Sequence, residues 1–374
     1  MFPKWFSDWN RENPTNVFGP AILVGAAGGA VVAAALFLNW GAPFNDAYDQ
    51  TGPRGIRMQI PALDAKLDPT VATYYTEAPY PPEEGEPLAS EVYENVQVLG
   101  DLTESNFSRL MVAMTEWVSP EQGCGYCHAN ADEGQYADDD LYTKVVARRM
   151  TQMVQFINEE WEGHVNYNAE VGVTCYTCHR GQPVPTHTWF RIDPVNQSRE
   201  GWAAVQNRAT VQSQWTSLPS DALYRYLYED NQIVVHDLES RVAGTPGMDG
   251  LASIQDTERT YSLMNYFANS LGVNCVFCHN SRAFYDPSQN TPQWANASLG
   301  IYMVQDINNL YMEELAAVYP PVRLGPVYGD AGKAACMTCH KGYNKPMQGL
   351  NVIADWPELA TQGPPVYDTE AADG

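Results

Sequence analysis

The chain has 374 residues, with 45 acidic against 21 basic side chains and a formal net charge of −24. Acidity on that scale disfavours a nucleic-acid partner, because phosphate recognition relies on lysine and arginine. Eight cysteines and seven histidines are present, and their arrangement holds most of the chemical information.

From the N-terminus, residues 17–38 contain no charged side chain. At about 1.5 Å rise per residue, a helix of that length spans the roughly 30 Å hydrocarbon core of a bilayer. A signal peptide would also be rich in small residues, but this apolar run is long for one. Residues 1–40 are therefore expected to be a retained transmembrane anchor, with Gly25-x-x-x-Gly29 allowing another helix to approach closely. Lys4 and Arg11 precede the span, whereas Asp46 and Asp49 follow it before the first basic residue, Arg54. Positive-inside bias places the N-terminus in the cytoplasm and the remainder outside, with Trp5, Phe6 and Trp9 at one interface and Trp40 and Phe44 at the other. The first cysteine is Cys124, so the usual lipidated N-terminal cysteine is not expected.

Residues 41–100 contain Pro53, Pro61, Pro69, Pro79, Pro81, Pro82 and Pro87 and show no sustained helical period. Locked φ angles and missing N–H donors disfavour helix there, so the segment reads as an extended arm; a flexible linker is the plainer alternative. Phe107, Leu110, Met111, Met114, Trp117 and Val118 then recur at helical spacing, with Asp101 and Glu104 as a candidate capping box. A second helix is predicted from Val145, Val146, Met150, Met153, Phe156 and Ile157, and a third around Met264 and Phe267. The tail, residues 351–374, is acidic and proline-containing.

Each predicted helix precedes a Cys-x-x-Cys-His sequence. Four copies occur: Cys124–Cys127–His128, Cys175–Cys178–His179, Cys275–Cys278–His279 and Cys336–Cys339–His340, and they use every cysteine in the chain. This is the attachment signature of c-type haem, in which two thiols bond to the porphyrin and the adjacent histidine ligates iron. A disulfide framework has no need of a histidine after each second cysteine. A zinc site needs two such knuckles per metal and leaves the histidines unexplained. Thioredoxin-like chemistry needs a βαβ pattern, which is not visible. Four covalent haems c are therefore expected, in a compartment outside the cytoplasm.

Each six-coordinate iron needs a second ligand. Outside the motifs only His164, His187 and His236 remain, so methionines must serve some of the haems. Met111 and Met114 share one helical face, as do Met150 and Met153, and spacing does not choose between them. Met264 has no such competitor. The segment Met153-Val-Gln-Phe-Ile-Asn-Glu-Glu-Trp161 reads against Met303-Val-Gln-Asp-Ile-Asn-Asn-Leu-Tyr311, which makes Met303 a candidate too. A similar offset relates Met111 to Met264 and His128 to His279, so the chain reads as two pseudo-equivalent halves with two haems each.

These motifs and their surroundings resemble the tetrahaem cytochrome c subunit of purple-bacterial photosynthetic reaction centres. The resemblance runs from about Val92 to Gly349, and three blocks bear it. They are Arg109-Leu-Met-x-Ala-Met-Thr-Glu-Trp-Val118, then Trp161-x-x-His-Val165 with Gly172-Val-Thr-Cys-Tyr-Thr-Cys-His-Arg-Gly181, and Leu271-Gly-Val-Asn-Cys-x-x-Cys-His279. It implies His128 with Met111 at haem 1, His179 with Met153 at haem 2, His279 with Met264 at haem 3, and His340 with His164 at haem 4. The stretch between His164 and Cys175 is longer than the family pattern, which keeps Met303 as the alternative ligand. His187 and His236 match no ligand position and are expected at the surface.

The implied fold is mainly α with extensive irregular chain: an anchor, the arm, and a cytochrome domain over 101–350 whose lobes cover about 101–200 and 250–350. The implied function is electron transfer to the photo-oxidised special pair, with haem 3 nearest the pigments and haem 1 farthest. Implied partners are the reaction-centre L and M subunits, with H and antenna polypeptides nearby, at the periplasmic face of the inner (intracytoplasmic) membrane. Irons with two strong axial ligands have no open position for a substrate, so no enzymatic activity is expected. Methionine raises haem potential and a second imidazole lowers it, so unequal potentials are expected. Asp132, Glu133, Asp138, Asp139 and Asp140 could steer a basic soluble donor such as cytochrome c2, or be an ordinary solvated surface; a high-potential iron–sulfur protein is an equal candidate. The alternative of another class is a membrane-anchored multihaem quinol dehydrogenase.

Overall fold

The computed structural model describes residues 3–14, 18–39, 48–50, 59–61, 68–166, 169–192, 205, 208–236, 252–284 and 286–367. The chain divides into two compact units, one of residues 1–50 and 59–65, the other of residues 51–58 and 66–374.

The first unit contains α1 (Lys4–Glu12) and α2 (Phe18–Asn39), with strands β1 (Tyr48–Gln50) and β2 (Gln59–Pro61) paired antiparallel in the register Tyr48 to Pro61. α2 lacks charged residues over its whole length, and none of its stretch Ala21–Leu38 is buried. It is the one helix among the described residues long and apolar enough to cross a membrane. Glycine and alanine abound in it, so its backbone is unusually accessible along one stretch: a Cβ added at Gly25, Gly28 or Gly29 would meet no atom within 4 Å.

The second unit is mainly helical: α3 (Ala89–Val92), α4 (Glu104–Val118), α5 (Tyr142–Glu160), α6 (Glu162–Val165), α7 (Cys175–His179), α8 (Ala222–Leu227), α9 (Ile254–Leu271), α10 (Pro292–Asp306) and α11 (Cys336–His340). Among the described residues, 68–88 and 119–141 carry no α-helix. Two apolar clusters form its core. Leu102, Leu110, Ala113, Trp117, Val154, Tyr176 and Trp356 belong to one, whereas Ile157, Leu223, Leu227, Leu263, Tyr266, Val304 and Ile307 belong to the other. α5 contributes to both, with Val154 in the first and Ile157 in the second.

Three details differ from the reading of the sequence. α4 begins at Glu104 with Thr103 as its N-cap, two residues beyond the expected Asp101. Thr103 is extended because it bridges to Leu88 in an antiparallel pair. Residues 68–100 of the arm are bound down rather than loose. Asp68 forms an ion pair with Arg180 at 2.9 Å, the Tyr176 hydroxyl donates to Thr70 O at 2.9 Å, and Trp117 Nε1 donates to Tyr75 O at 2.9 Å. Likewise, the expected acidic tail packs into the core as far as Leu359: Trp356 and Leu359 are fully buried, and Glu358 pairs with Arg109 where neither side chain touches solvent. Arg109 also stacks on Trp356, with its guanidinium carbon 4.2 Å from the ring centre.

Candidate haem-attachment sites

The four Cys-x-x-Cys-His motifs all adopt tight helical turns, which bring both sulfurs and the histidine to one side of a single turn. The second and fourth are α7 and α11, each followed by a residue in the left-handed region, Arg180 (φ 52°) and Lys341 (φ 53°). The first and third lie on 3₁₀ turns, Gly123–Tyr126 and Cys275–Phe277. Asn274 starts the latter by accepting from Val276 N.

The histidines share one geometry. His128 Nδ1 lies 3.1 Å from Tyr136 O, His179 Nδ1 2.8 Å from Gln182 O, His279 Nδ1 3.1 Å from Phe284 O, and His340 Nδ1 3.0 Å from Tyr343 O. A carbonyl oxygen only accepts, so in each ring Nδ1 holds the proton and Nε2 is left bare. A second hydrogen bond of this kind is how proteins fix the tautomer and orientation of a metal-binding imidazole. Burial pushes all four rings below the ordinary histidine value, to about 4 for His179 and His340. They are neutral at physiological pH, as ligation requires.

One histidine outside the motifs shares this geometry. His164, on α6, has Nδ1 2.9 Å from Asn296 O, and burial again holds the ring below its usual pKa. Its ring centre is 6.4 Å from that of His340. Two imidazoles binding one metal from opposite sides, each with a bond of about 2 Å, have centres roughly this far apart. Both rings line an apolar cavity, which Cys336, Cys339, Val165, Phe267, Leu271 and Met303 also line. Neither His187 nor His236 lines it. His187 is exposed, and its carbonyl accepts from the Thr338 hydroxyl; His236 is half-buried, and its backbone N donates to Thr257.

Met111 and Met114 lie on α4, Met150 and Met153 on α5, Met264 on α9 and Met303 on α10. Met111 and Met114 pack, partly buried, against the first apolar cluster; Met150, Met153 and Met264 pack against the second, in which Met303 is buried. Cys178 Sγ and Cys339 Sγ approach to 2.7 Å, so the attachment points of the second and fourth motifs adjoin. Phe277 and Cys278 of the third motif line the same cavity as His340.

Several supporting residues had no ligand-type signal in the sequence. Asn158 Nδ2 donates to Val173 O at 2.8 Å and its Oδ1 accepts from Val173 N at 2.7 Å; Asn308 makes the same pair with Ala334, at 3.0 and 2.8 Å. Val173 and Ala334 each precede a motif by two residues. The Thr143 hydroxyl donates to Tyr126 O in the first motif, and the Thr291 hydroxyl to Phe277 O in the third. Gly181 N donates to Trp117 O, and Gly342 N to Ser270 O, each at 2.8 Å. Only the asparagines could have been singled out, since both fall within the sequence repeat.

The acidic run after the first motif is partly consumed within the chain. Asp139 pairs with Arg148 at 2.8 Å and Lys144 at 3.1 Å. The Arg148 hydrogen bond, aided by Asn95 and Lys144, holds its carboxyl far below the usual range. Lys144 Nζ also donates to the carbonyls of Tyr136, Ala137 and Asp138 at 2.7–2.8 Å. The loop so gripped supplies the carbonyl that orients His128.

Helical Cys-x-x-Cys-His turns with carbonyl-oriented imidazoles define a c-type cytochrome, a covalently haem-bearing electron carrier. Residues 41–360 match the family described as the photosynthetic reaction centre cytochrome C subunit. A protein named photosynthetic reaction center cytochrome c subunit from Roseobacter denitrificans is 64% identical over 371 residues, covering 98% of this chain and 100% of its own length. Proteins of the same name from Rubrivivax gelatinosus and Thermochromatium tepidum are 41% and 46% identical; they align over 88% and 73% of this chain and over 87% and 65% of their own lengths. The chain belongs to the photosynthetic reaction centre cytochrome c subunit family.

Proposed function

We propose that this chain re-reduces the photo-oxidised special pair of a photosynthetic reaction centre, taking electrons from a soluble periplasmic donor through four covalently attached haems c. Family membership supports the role, and the shared Nδ1 geometry of the four motif histidines supports the haem count. When bound, each haem iron cycles between ferrous and ferric states and so holds one electron.

The protein's part is to attach, orient and seal. Cys124 with Cys127, Cys175 with Cys178, Cys275 with Cys278 and Cys336 with Cys339 form the thioether pairs. His128 with Met111, His179 with Met153, and His279 with Met264 would hold the irons of the first three haems. His340 with His164 would hold the fourth, a reading supported by their ring separation of 6.4 Å. With both axial positions filled, the chain is an electron carrier without a substrate reaction. The adjoining sulfurs of Cys178 and Cys339, and the cavity shared by the third and fourth motifs, support a continuous line running haem 3, haem 4, haem 2. Two lobes, about 101–200 and 250–350, find support in the matching hydrogen bonds that Asn158 and Asn308, and likewise Thr143 and Thr291, make in their own halves.

α2 anchors the chain in the inner (intracytoplasmic) membrane, with the haem-bearing part at the periplasmic face against the L and M subunits. The pairing of Asp139 weakens the case for steering by that acidic run alone, and leaves a high-potential iron–sulfur protein equal to cytochrome c2 as donor. The test is flash-induced absorbance in native membranes. Haem oxidation within microseconds of special-pair oxidation is expected; haems that cycle with chemical reductants but not after a flash would overturn the reading.

A further inference from the structure

The internal repeat makes Met303 the counterpart of Met153, and the matched grips of Asn158 and Asn308 on the chain ahead of the second and fourth motifs fix that register in space. By this register the fourth haem should take a methionine from α10, as the second is read to take one from α5. Met303 is well placed for it: it is buried and lines the cavity between His164 and His340. Yet His164 occupies that cavity as well.

The difference between the two helices lies one turn before the methionine. The position is Met150 on α5 and Gly300 on α10. Gly300 is buried inside a helix, where glycine is a poor choice unless something needs its missing side chain. Here the missing side chain is where the imidazole lies. A Cβ built at Gly300 would come 2.6 Å from His164 Cε1 and 3.1 Å from both ring nitrogens. The ring has no easy retreat, because Asn296, one turn earlier on the same face of α10, holds its Nδ1 at 2.9 Å.

We propose that Gly300 decides which side chain ligates the fourth haem iron: it seats His164, and Met303 stands beside it as a reserve ligand. The inference rests on reading His164 and His340 as the axial pair. Gly300 is a positioning residue in this scheme, and a single added methyl exchanges a bis-histidine haem for a histidine–methionine one. The exchange raises that haem's potential, since thioether sulfur favours ferrous iron over a second imidazole.

The experiment uses the full chain, matured with its haems and purified, in the forms wild type, Gly300→Ala, Gly300→Ala with Met303→Leu, and His164→Ala. Each is measured by electron paramagnetic resonance, near-infrared magnetic circular dichroism and redox titration. Wild type should show one bis-imidazole haem. In Gly300→Ala that signature should vanish, the methionine-to-ferric-iron charge-transfer band should gain one haem's intensity, and one potential should rise. His164→Ala, which adds no atom, should do the same, and adding Met303→Leu should leave a high-spin haem instead. A Gly300→Ala protein that keeps its bis-imidazole signal and potential would overturn the role of the glycine. A high-spin haem in His164→Ala without gain of methionine signal would overturn the reserve ligand. Wild type without any bis-imidazole haem would instead remove the axial assignment on which the inference stands.

Discussion

Asn158 and Asn308 grip the polypeptide two residues ahead of a haem-attachment motif in the same way, each donating to a carbonyl and accepting from the same residue's N–H. Both asparagines are buried, at 6% and 0% exposure. The grip sets where the following turn begins, and so where its histidine points.

Replacing either asparagine by leucine leaves a buried N–H and a buried carbonyl without partners. Each such group costs about 1–3 kcal/mol. Asn308→Leu should therefore lower unfolding stability by roughly 2–6 kcal/mol, and Asn158→Leu by a similar amount. Chemical denaturation followed by circular dichroism checks this. An effect below about 1 kcal/mol would show the grip to be incidental.

Arg109 and Glu358 join α4 to the C-terminal segment, away from solvent. Arg109→Met strands a buried carboxylate, and loss of one partner of a buried pair costs about 3–5 kcal/mol. The double variant Arg109→Met with Glu358→Leu should recover most of that loss, because no charge is left unpaired. A double-mutant cycle in denaturant measures the recovery.

Acid should loosen the loop after the first motif. Asp139 titrates below its ordinary carboxyl value because Arg148 hydrogen-bonds its charged form. A group with a depressed folded pKa contributes stability that is present above the unfolded value and lost as pH falls through the folded one. The loop should therefore hold at pH 5 and weaken progressively as pH falls below the ordinary carboxyl value near 3.9, until Asp139 is protonated in the folded state as well. Asp139→Asn should abolish that acid step, and amide exchange over residues 136–141 as a function of pH reads it directly.

The haem count is tested by removal. Cys275→Ala with Cys278→Ala should yield a protein with one haem fewer by intact mass and by pyridine haemochrome absorbance. The remaining haems should keep their potentials to within the electrostatic influence of a lost neighbour. The same double change in each of the other motifs should give the same decrement.

Much of this protein could be read from residue order alone. Covalent haem attachment is a local event, needing two thiols and an imidazole on one turn, so four Cys-x-x-Cys-His strings reveal it without any fold. The apolar run that became α2 is equally local, because its length and lack of charge alone set its ability to cross a bilayer. The helical methionine stripes were visible for the same reason, since a period of 3.6 residues needs no partner to be seen.

Tertiary structure decided what depends on distant residues meeting. That His164 faces His340, that Gly300 opens the space for it, and that Asn296 locks its tautomer are matters of two helices packing, with no mark in local spacing. The fate of the proline-rich arm and the acidic tail was hidden similarly. Composition gives no sign of it, yet Arg109, Trp117 and Tyr176 hold residues of the 68–100 stretch and of the segment around Trp356 through hydrogen bonds and ring contacts formed only once the helices are assembled.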